Sequence, residues 1–360
     1  MKGLRKYIAP FAPDQSGAAA VLCEFHGLII ILDAGGCAGN ICGFDEPRWF
    51  GSRSAIFSAG LRDMDAILGR DEKLVEKIGK ACQTLSPEFI AVIGTPVPAV
   101  IGTDYRALTR MIEKKTGIPA FALDTDGTKL YDEGEKKAWK ALFEKFVEPV
   151  SETEKGSVGI LGATPLEFGG EYEDDFLKNY FYQKGFQKVV CYGMGDGLLE
   201  VKKAGCMEKN MVVSPAGLAT AVFLEKTFGT PYEMFCPPEI IPEWQEVQNA
   251  GRDWYQAFQG KKLLIVHQQI LAESLKKEIL SRVDARIDTA SWFWIPEEMK
   301  TGNEIFLREE DDWIHLVNEG DYDGIIADPI LKRAVPDFKG KWWDLSHFAI
   351  SGRKRKRVCL

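Results

Sequence analysis

The chain has 360 residues, of which 45% are hydrophobic and 27% are charged, a composition typical of a folded globular protein rather than a disordered one. Its formal net charge of −8 argues against a general nucleic-acid-binding role. The sequence has no apolar run of about 18 residues that would span a membrane, and its N-terminus lacks the apolar stretch of a secretory signal. We therefore expect a cytoplasmic protein that binds neither membranes nor nucleic acids.

Apolar runs of strand length alternate with amphipathic stretches of helix length along the chain. The predicted strands are Leu28–Leu32, Phe89–Ile93, Ala120–Leu123, Val158–Leu161, Lys188–Tyr192, Met211–Val213, Leu263–Val266 and Gly324–Ala327. The predicted helices are Glu72–Thr84, Asp104–Lys115, Gly134–Phe146, Asp174–Lys184, Leu218–Phe228 and Ala272–Leu280. Nearly continuous apolar strands that alternate with helices are typical of parallel sheets covered on both faces. The pattern predicts an α/β fold made of doubly wound, Rossmann-like units with parallel sheets.

Two polar segments that contain proline and glycine, Glu148–Ser157 and Cys236–Lys262, look like junctions between domains. They divide the chain into three predicted domains, each large enough for a small Rossmann-like unit around a central cleft. These domains are residues 1–150, 151–258 and 259–360. The basic run at Arg353–Arg357 is predicted to be a solvated terminus.

Eight cysteines are dispersed along the chain without a CxxC pair, and no export signal accompanies them. They are Cys23, Cys37, Cys42, Cys82, Cys191, Cys206, Cys236 and Cys359. A disulfide framework is therefore not expected, and most of these thiols should behave as small buried apolar groups. Any functional exception should lie in a local motif.

The loop after the first predicted strand is such a motif, because ligands in open α/β sheets bind beyond the carboxyl ends of strands. Residues 33–43 contain four glycines, among them Gly35 and Gly36, and two cysteines, Cys37 and Cys42. The glycines would let the backbone approach a bulky group, and the thiolates could ligate iron or zinc. A four-iron cluster takes four thiolates, so a symmetric dimer would supply the other two. Spacing alone favours the simpler interpretation, a glycine-rich turn with incidental cysteines.

Other strand-end positions are weaker candidates. The GxGxG segment that includes Gly195 could present backbone N–H groups to an anion, although it is not the dinucleotide fingerprint and a tight turn is simpler. His267 follows a predicted strand and would face an interdomain cleft, whereas His26 is placed in an early helix. His315 is placed on a surface helix, and His347 precedes an apolar run. A packed structural role is the favoured interpretation for each histidine.

Several short motifs follow one another in a familiar order. They are Gly17-Ala18, Gly36-Cys37, Glu46-Pro47-Arg48, Ala66-Ile67-Leu68-Gly69, Val100-Ile101-Gly102-Thr103-Asp104 and Gly117-Ile118-Pro119. This order resembles the nitrogenase component 1 family, which includes the molybdenum–iron protein subunits, cofactor-assembly homologues, dark-operative protochlorophyllide reductase and nickel-sirohydrochlorin reductive cyclase. The resemblance is strongest over residues 15–125. It implies that Cys37 is a cluster ligand, that the protein forms a homodimer or a heterodimer with a related subunit, and that an ATP-dependent iron–sulfur reductase donates electrons.

The departures from the family pattern are equally informative. Residues 11–14 read Phe-Ala-Pro-Asp where one family cysteine is expected, and Pro96 replaces another. Ser214 stands where the catalytic nitrogenase subunit presents its cofactor cysteine, and no counterpart of the cofactor histidine is evident. The resemblance thus implies an oxidoreductase component with an iron–sulfur cluster, [4Fe–4S] in type and shared between subunits through Cys37 and Cys42. It would pass electrons to a substrate or a further metallocofactor and would not reduce dinitrogen.

Two alternatives to an oxidoreductase component belong to other functional classes. The chain could be a non-catalytic scaffold that holds a metallocofactor during assembly, which the loss of two family cysteines and the presence of Ser214 favour. It could also be a small-molecule-binding protein that kept the three-domain fold after losing the cluster. Zinc bound by Cys37 and Cys42 is a further possibility.

Overall fold

A computed structural model describes residues 5–69, 71–149, 152–169, 173–240, 254–300, 302 and 304–352. These residues form three separate sheets whose strand pairs are all parallel. The predicted α/β fold with three parallel-sheet units is confirmed. Residues 241–253 of the second predicted junction, the basic run at 353–357 and Cys359 lie outside the described residues.

The first and middle sheets share one strand order. The first sheet contains β1 (Gly27–Ile31), β2 (Ala55–Ser58), β3 (Phe89–Ile93) and β4 (Ala120–Leu123) in the order β2-β1-β3-β4. The middle sheet contains β5 (Glu154–Leu161), β6 (Lys188–Cys191), β7 (Met207–Val212) and β8 (Tyr232–Met234) in the order β6-β5-β7-β8.

The third sheet has five strands and a different order. It contains β9 (Lys262–Val266), β10 (Arg286–Ser291), β11 (Ile305–Phe306), β12 (Gly324–Ala327) and β13 (Lys341–Asp344), arranged as β11-β10-β9-β12-β13. One continuous apolar core includes Ile29 of β1, Ile160 of β5 and Ile265 of β9, so the three units share buried surface.

Helices cover the sheets and fill the space between them. The described α-helices are Asp14–Leu22, Gly36–Asn40, Asp63–Leu68, Asp71–Leu85, Pro96–Ile101, Tyr105–Thr116, Tyr131–Phe146, Pro165–Phe168, Glu173–Gln183, Leu198–Lys202, Leu218–Phe228, Gln269–Leu280, Glu310–Glu319 and Phe348–Ser351. None of the helices in the described ranges is both long and apolar enough to cross a membrane.

Local capping signals explain where several helices begin and end. The Asp104 carboxylate accepts hydrogen bonds from the N–H groups of Arg106 and Ala107, both at 3.0 Å, which satisfies two otherwise unpaired donors at the helix start. Gly117 adopts a left-handed φ of 70° at the end of the same helix. The placement of His26 in an early helix is wrong, because that helix ends at Leu22 and His26 lies in the following turn with a φ of 63°.

The helix Tyr131–Phe146 joins the first and middle units. It packs on the helix Asp14–Leu22 on one side and on the helix Leu218–Phe228 on the other. Glycines make the first contact possible, because a Cβ atom on Gly17 would overlap the Tyr131 carbonyl and one on Gly134 would overlap the Asp14 carbonyl. The two helix backbones are therefore in direct contact.

Candidate functional site

The three sheets each have a topological switch point, where the strand order reverses and a crevice opens at the carboxyl ends of two neighbouring strands. These points lie between β1 and β3, between β5 and β7, and between β9 and β12. The loop with Cys37 follows β1, Ser214 lies just beyond β7, and His267 directly follows β9. Sequence-predicted site residues therefore occupy all three switch points.

Hydrogen bonds fix the loop that carries Cys37. Gly35 has a φ of 122°, which a residue with a side chain rarely adopts, and it turns the chain into the helix Gly36–Asn40. The Asp33 carboxylate accepts the Ala38 N–H at 2.8 Å and the Ser58 hydroxyl at 2.6 Å. The Cys37 thiol lies close to Thr95, which follows β3 and whose hydroxyl donates to the Leu32 carbonyl at 2.9 Å. Cys37 is thus held between the ends of β1 and β3.

Cys42 lies one turn further along the same helical segment. It belongs to a π-helical turn, Ile41–Asp45, a local form found frequently at functional sites. Both thiols are half-buried, and burial raises the pKa of each, with the carboxylates of Asp33 at Cys37 and of Glu46 at Cys42 adding to the effect. Metal binding here would therefore release protons.

Cys37 and Cys42 are the two thiols of this loop that could ligate a metal ion. Across the described residues, no cluster of three or more histidine, cysteine, aspartate or glutamate side chains could hold a metal ion. Cys23 is fully buried beside Glu46 and Arg48, where burial and then the Glu46 carboxylate raise its thiol pKa well above the ordinary value. Cys82 lies on the helix Asp71–Leu85 and packs against the core on the other face of the first sheet. Cys23 and Cys82 are therefore assigned packing roles.

Arg48 anchors the segment that follows Cys42. Its guanidinium donates to both oxygens of the buried Glu46 carboxylate, with Nε–Oε1 at 2.7 Å and Nη2–Oε2 at 2.8 Å. It also donates to the Ala20 carbonyl at 2.6 Å and to the Gly193 carbonyl at 2.7 Å. One side chain therefore links the cysteine loop, the first helix and the middle unit.

The GxGxG segment forms a tight turn. Gly193 and Gly195 have φ values of 71° and 87°, and the Asp196 carboxylate closes the turn by accepting the Cys191 N–H at 2.7 Å. Ser214 is fully buried, and its hydroxyl donates to the Gly162 carbonyl at 2.7 Å. Ligand binding by Gly195 and Ser214 stays a prediction.

Large exposed apolar side chains occur on the segment after Cys42 and on the helix after β3. Phe44 is 75% exposed and Phe50 is 98% exposed, and both follow Cys42 in the chain. Val100, on the helix that follows β3, is 86% exposed. We call these three residues the apolar rim. Exposed apolar side chains of this size are candidates for contact with a partner.

A buried acid–base cluster (Tyr131, Glu135, Glu167, His267 and His347) lies where the three units meet, and each member is at most 1% exposed. The Tyr131 hydroxyl is 2.6 Å from Glu167 Oε1 and 2.8 Å from His347 Nε2. The rings of His267 and His347 stack with centroids 4.1 Å apart. Glu135 accepts the Thr164 hydroxyl at 2.5 Å. The sequence analysis did not predict Tyr131, Glu135 or Glu167 as members of this cluster. A charged residue within an apolar helical face, as at Glu135, is the signal that could have identified one of them.

Burial and nearby carboxylates favour the protonated forms of Glu135 and Tyr131. Burial raises the pKa of Glu135 well above its ordinary value, and the nearby Glu167 carboxylate raises it further. Two buried carboxyl groups that face each other cannot both ionise without a large cost. Burial and then the same Glu167 carboxylate also raise the pKa of the Tyr131 phenol. The protonated form of Glu135 is thus favoured in the folded chain, as it is in carboxyl groups that act as general acids.

The buried Asp132 carboxyl, which lies beside the cluster, should make the stability of the protein depend on pH. Burial raises its pKa from 3.8 to about 6, while its carboxylate accepts the Trp294 N–H at 2.7 Å. Because the folded chain binds this proton more tightly than the unfolded chain, Asp132 lowers stability as pH rises from about 4 to about 6. Asp132→Asn removes that loss, so the variant should gain about 3 kcal/mol relative to the wild type across this interval. Urea unfolding at a series of pH values measures the difference.

The control for this experiment is Asp311→Asn, which changes an exposed carboxylate on the helix Glu310–Glu319. Its stability should follow the wild-type pH dependence. Parallel pH profiles for Asp132→Asn and the wild type would show that the buried carboxyl does not titrate in this range.

Comparisons with known proteins agree with this architecture. A family model described as nitrogenase component 1 type oxidoreductase matches residues 14–238. The nitrogenase iron-molybdenum cofactor biosynthesis protein NifE of Clostridium pasteurianum is 28% identical over 179 residues, which cover 49% of this chain and 38% of that protein. A light-independent protochlorophyllide reductase subunit of Chaetosphaeridium globosum is 26% identical over 186 residues, covering 48% of this chain and 36% of that protein.

A third relative is component CfbD of the Ni-sirohydrochlorin a,c-diamide reductive cyclase complex of Methanothermobacter thermautotrophicus, 26% identical over 167 residues, 43% of this chain and 44% of that protein. The chain spans less than half the length of these three relatives.

Solved structures share the fold over nearly the whole chain. A structure titled "Nitrogenase Cp1 at pH 6.5" superposes with a TM-score of 0.72 and 14% identity, covering 98% of this chain and 88% of its own. A second, titled "Nitrogenase Cp1 at pH 5", gives a TM-score of 0.71 with 16% identity and covers 97% and 85%. With the family model matching well over half of its residues, the chain belongs to the nitrogenase component 1 type oxidoreductase family.

Proposed function

We propose that this chain is a component of a nitrogenase-like oxidoreductase, in which Cys37 and Cys42 hold an iron–sulfur cluster together with thiolates of a second subunit. The observation that carries the proposal is the placement of both thiols on one helical segment at the switch point of the first sheet. Family membership supports the same conclusion.

The donor set fits a cluster shared between subunits. Two thiols from each of two chains make four ligands, the number that a [4Fe–4S] cluster takes. Gly35 and Gly36 have open space where side chains would stand, so a bulky group can approach the backbone there. The apolar rim gives a second subunit a surface to cover, and the partner is either a second copy or a related chain.

When bound, the cluster would supply one-electron transfer, with electrons from an ATP-dependent iron–sulfur reductase, toward a substrate or further metallocofactor. The chain's own residues would have four roles. The cysteine loop positions the two thiolates, and Arg48 holds that loop against the middle unit. The buried acid–base cluster stores protons that a reduction consumes, while Gly195 and Ser214 are proposed contacts of a further cofactor. Dinitrogen reduction is not proposed.

Anaerobic purification followed by iron, sulfide and zinc analysis tests the proposal. We expect about four iron and four sulfide per pair of subunits, with a visible absorbance that dithionite bleaches. Size measurement in the same buffer, alone and with candidate subunits, identifies the pairing. A chain that takes up zinc alone, or neither metal after reconstitution, would contradict the iron–sulfur proposal.

A scaffold role in cofactor assembly is the second candidate. It is favoured by Ser214, which stands where the family resemblance places a cofactor cysteine, and whose hydroxyl is engaged with a carbonyl. Similarity to a protein named for iron-molybdenum cofactor biosynthesis points the same way. A scaffold should release its metal once, in stoichiometric amount, to an apo acceptor, whereas a catalytic component should turn over when reductant is supplied.

A further inference from the structure

We infer that the cleft between residues 128–133 and residues 292–308 binds a small planar organic anion. The cleft has a volume of about 820 Å³, within the range of small-molecule sites in proteins. This inference goes beyond the proposed iron–sulfur function and concerns a different part of the chain.

The location of the cleft is the first argument. Residues 292–295 follow β10 and residues 307–308 follow β11, so the cleft opens at the carboxyl edge of the third sheet. Ligands of open parallel sheets bind at that edge. The opposite wall comes from the start of the helix Tyr131–Phe146, which belongs to another unit of the fold. The cleft therefore lies between two units, another common position for ligands.

Aromatic side chains form the second argument. Trp292 is buried in the wall of the cleft, Trp294 is half-buried, and Phe306 is 48% exposed although it is a large apolar residue. The Lys136 ammonium lies 4.3 Å from the centroid of the Trp294 ring. Exposed aromatic faces beside buried ones accept flat rings by stacking. The lining thus favours a planar ligand.

The distribution of charge is the third argument. Among the acidic residues of the cleft, Glu133 pairs with Lys136 at 2.7 Å, while Asp132 and Glu304 each accept a backbone N–H. Lys129 and Arg308 are exposed, and their interactions with Asp126 and Asp312 are longer than an ion pair. Exposed cations without a close ion pair, beside engaged carboxylates, favour an anionic ligand, for which charge-assisted hydrogen bonds are the strong ones.

The cleft also adjoins the buried acid–base cluster. Phe293, between the two tryptophans, packs on Tyr131 with ring centroids 5.0 Å apart and on His347 at 4.9 Å. A ligand stacked on Trp294 would therefore be separated from Tyr131 and His347 by Phe293, the neighbour of Trp294 in the chain.

Calorimetric titration of the full chain with 2-naphthoate, a planar aromatic carboxylate, tests the inference. We expect saturable binding at one site, and about tenfold weaker binding of the neutral isostere 2-naphthamide, the loss expected when a charge-assisted hydrogen bond is removed. The double variant Lys129→Ala/Arg308→Ala should lose about tenfold in naphthoate affinity or more. The matched control is Lys140→Ala/Lys203→Ala, which removes two exposed cations elsewhere and should leave the affinity unchanged.

Three results would overturn the inference: no saturable naphthoate binding, equal binding of acid and amide, or full affinity in the Lys129→Ala/Arg308→Ala variant. Thermal unfolding of each variant shows that it is folded, which is expected because the substituted lysines and Arg308 are exposed. The variant Cys37→Ala/Cys42→Ala should bind naphthoate as the wild type does. Failure of the iron–sulfur proposal would therefore leave this experiment unaffected.

Discussion

Anaerobically purified Cys37→Ala protein should contain iron at background level. In the proposed cluster Cys37 would supply one of the two thiols of this chain, and its loop follows β1 at the switch point of the first sheet. Its loss leaves two of the four thiolates that a [4Fe–4S] cluster requires in a homodimer, and three in a pair with a related chain. Iron and sulfide analysis of protein prepared in parallel with the wild type measures the effect.

The matched control is Cys82→Ala, which removes another half-buried thiol of the same unit, on a helix away from the loop. It should retain the iron content of the wild type. The Cys37 side chain is half-buried, so its truncation should shift the melting temperature little and an iron loss would not reflect unfolding. A Cys37→Ala protein that kept its full iron content would refute the proposed ligand.

Replacing Gly134 with alanine should destabilise the protein by about 3 kcal/mol or more, one of the larger effects of a single substitution. A Cβ atom at this position would overlap the backbone carbonyl of Asp14, and backbone in a buried helix cannot move aside cheaply. The helices Asp14–Leu22 and Tyr131–Phe146 would have to separate, which opens the joint between the first and middle units. Urea and thermal unfolding measure the loss.

Gly79→Ala is the matched control, for which we expect no loss of stability. Gly79 also lies within a helix, but the nearest atom to its added Cβ is the flexible Lys115 side chain at 3.4 Å. Alanine there should be neutral or should stabilise by up to about 1 kcal/mol, because alanine has the higher helix propensity. Equal stability of Gly134→Ala and Gly79→Ala would show that the two helices do not pack as closely as described.

The central strands of the fold could be predicted from the sequence because each is a nearly continuous apolar run. The predicted bounds for Phe89–Ile93, Ala120–Leu123 and Gly324–Ala327 coincide with β3, β4 and β12. The predictions missed five strands, β2, β8, β10, β11 and β13, of which all but β10 lie at sheet edges. The edge strands β8 and β13 read Tyr-Glu-Met and Lys-Trp-Trp-Asp, with polar residues on exposed positions. The interior strand β10 reads Arg-Ile-Asp-Thr-Ala-Ser, which is not a continuous apolar run. An edge strand has one paired side, so its sequence need not be apolar.

One part of the candidate site could likewise be predicted from the sequence, and another part could not. The density of glycine and cysteine within residues 33–43 was visible because the motif is local. The buried acid–base cluster was not, since Tyr131, Glu167 and His347 are far apart in the chain and meet through the packing of three units. The spacing of residues in the sequence does not show which distant residues come into contact. Those contacts are seen only in the folded chain.

The hydrogen bonds of Arg48 have a consequence for the iron–sulfur cluster that we propose at the adjacent loop. The guanidinium binds a carboxylate next to the cysteine segment and one carbonyl in each of two other elements, all in buried surroundings. Dipoles fixed in this way cannot rotate when a charge arrives nearby. The energy of rearranging the surroundings would then be small, so an electron could enter and leave this loop without waiting for the protein to move.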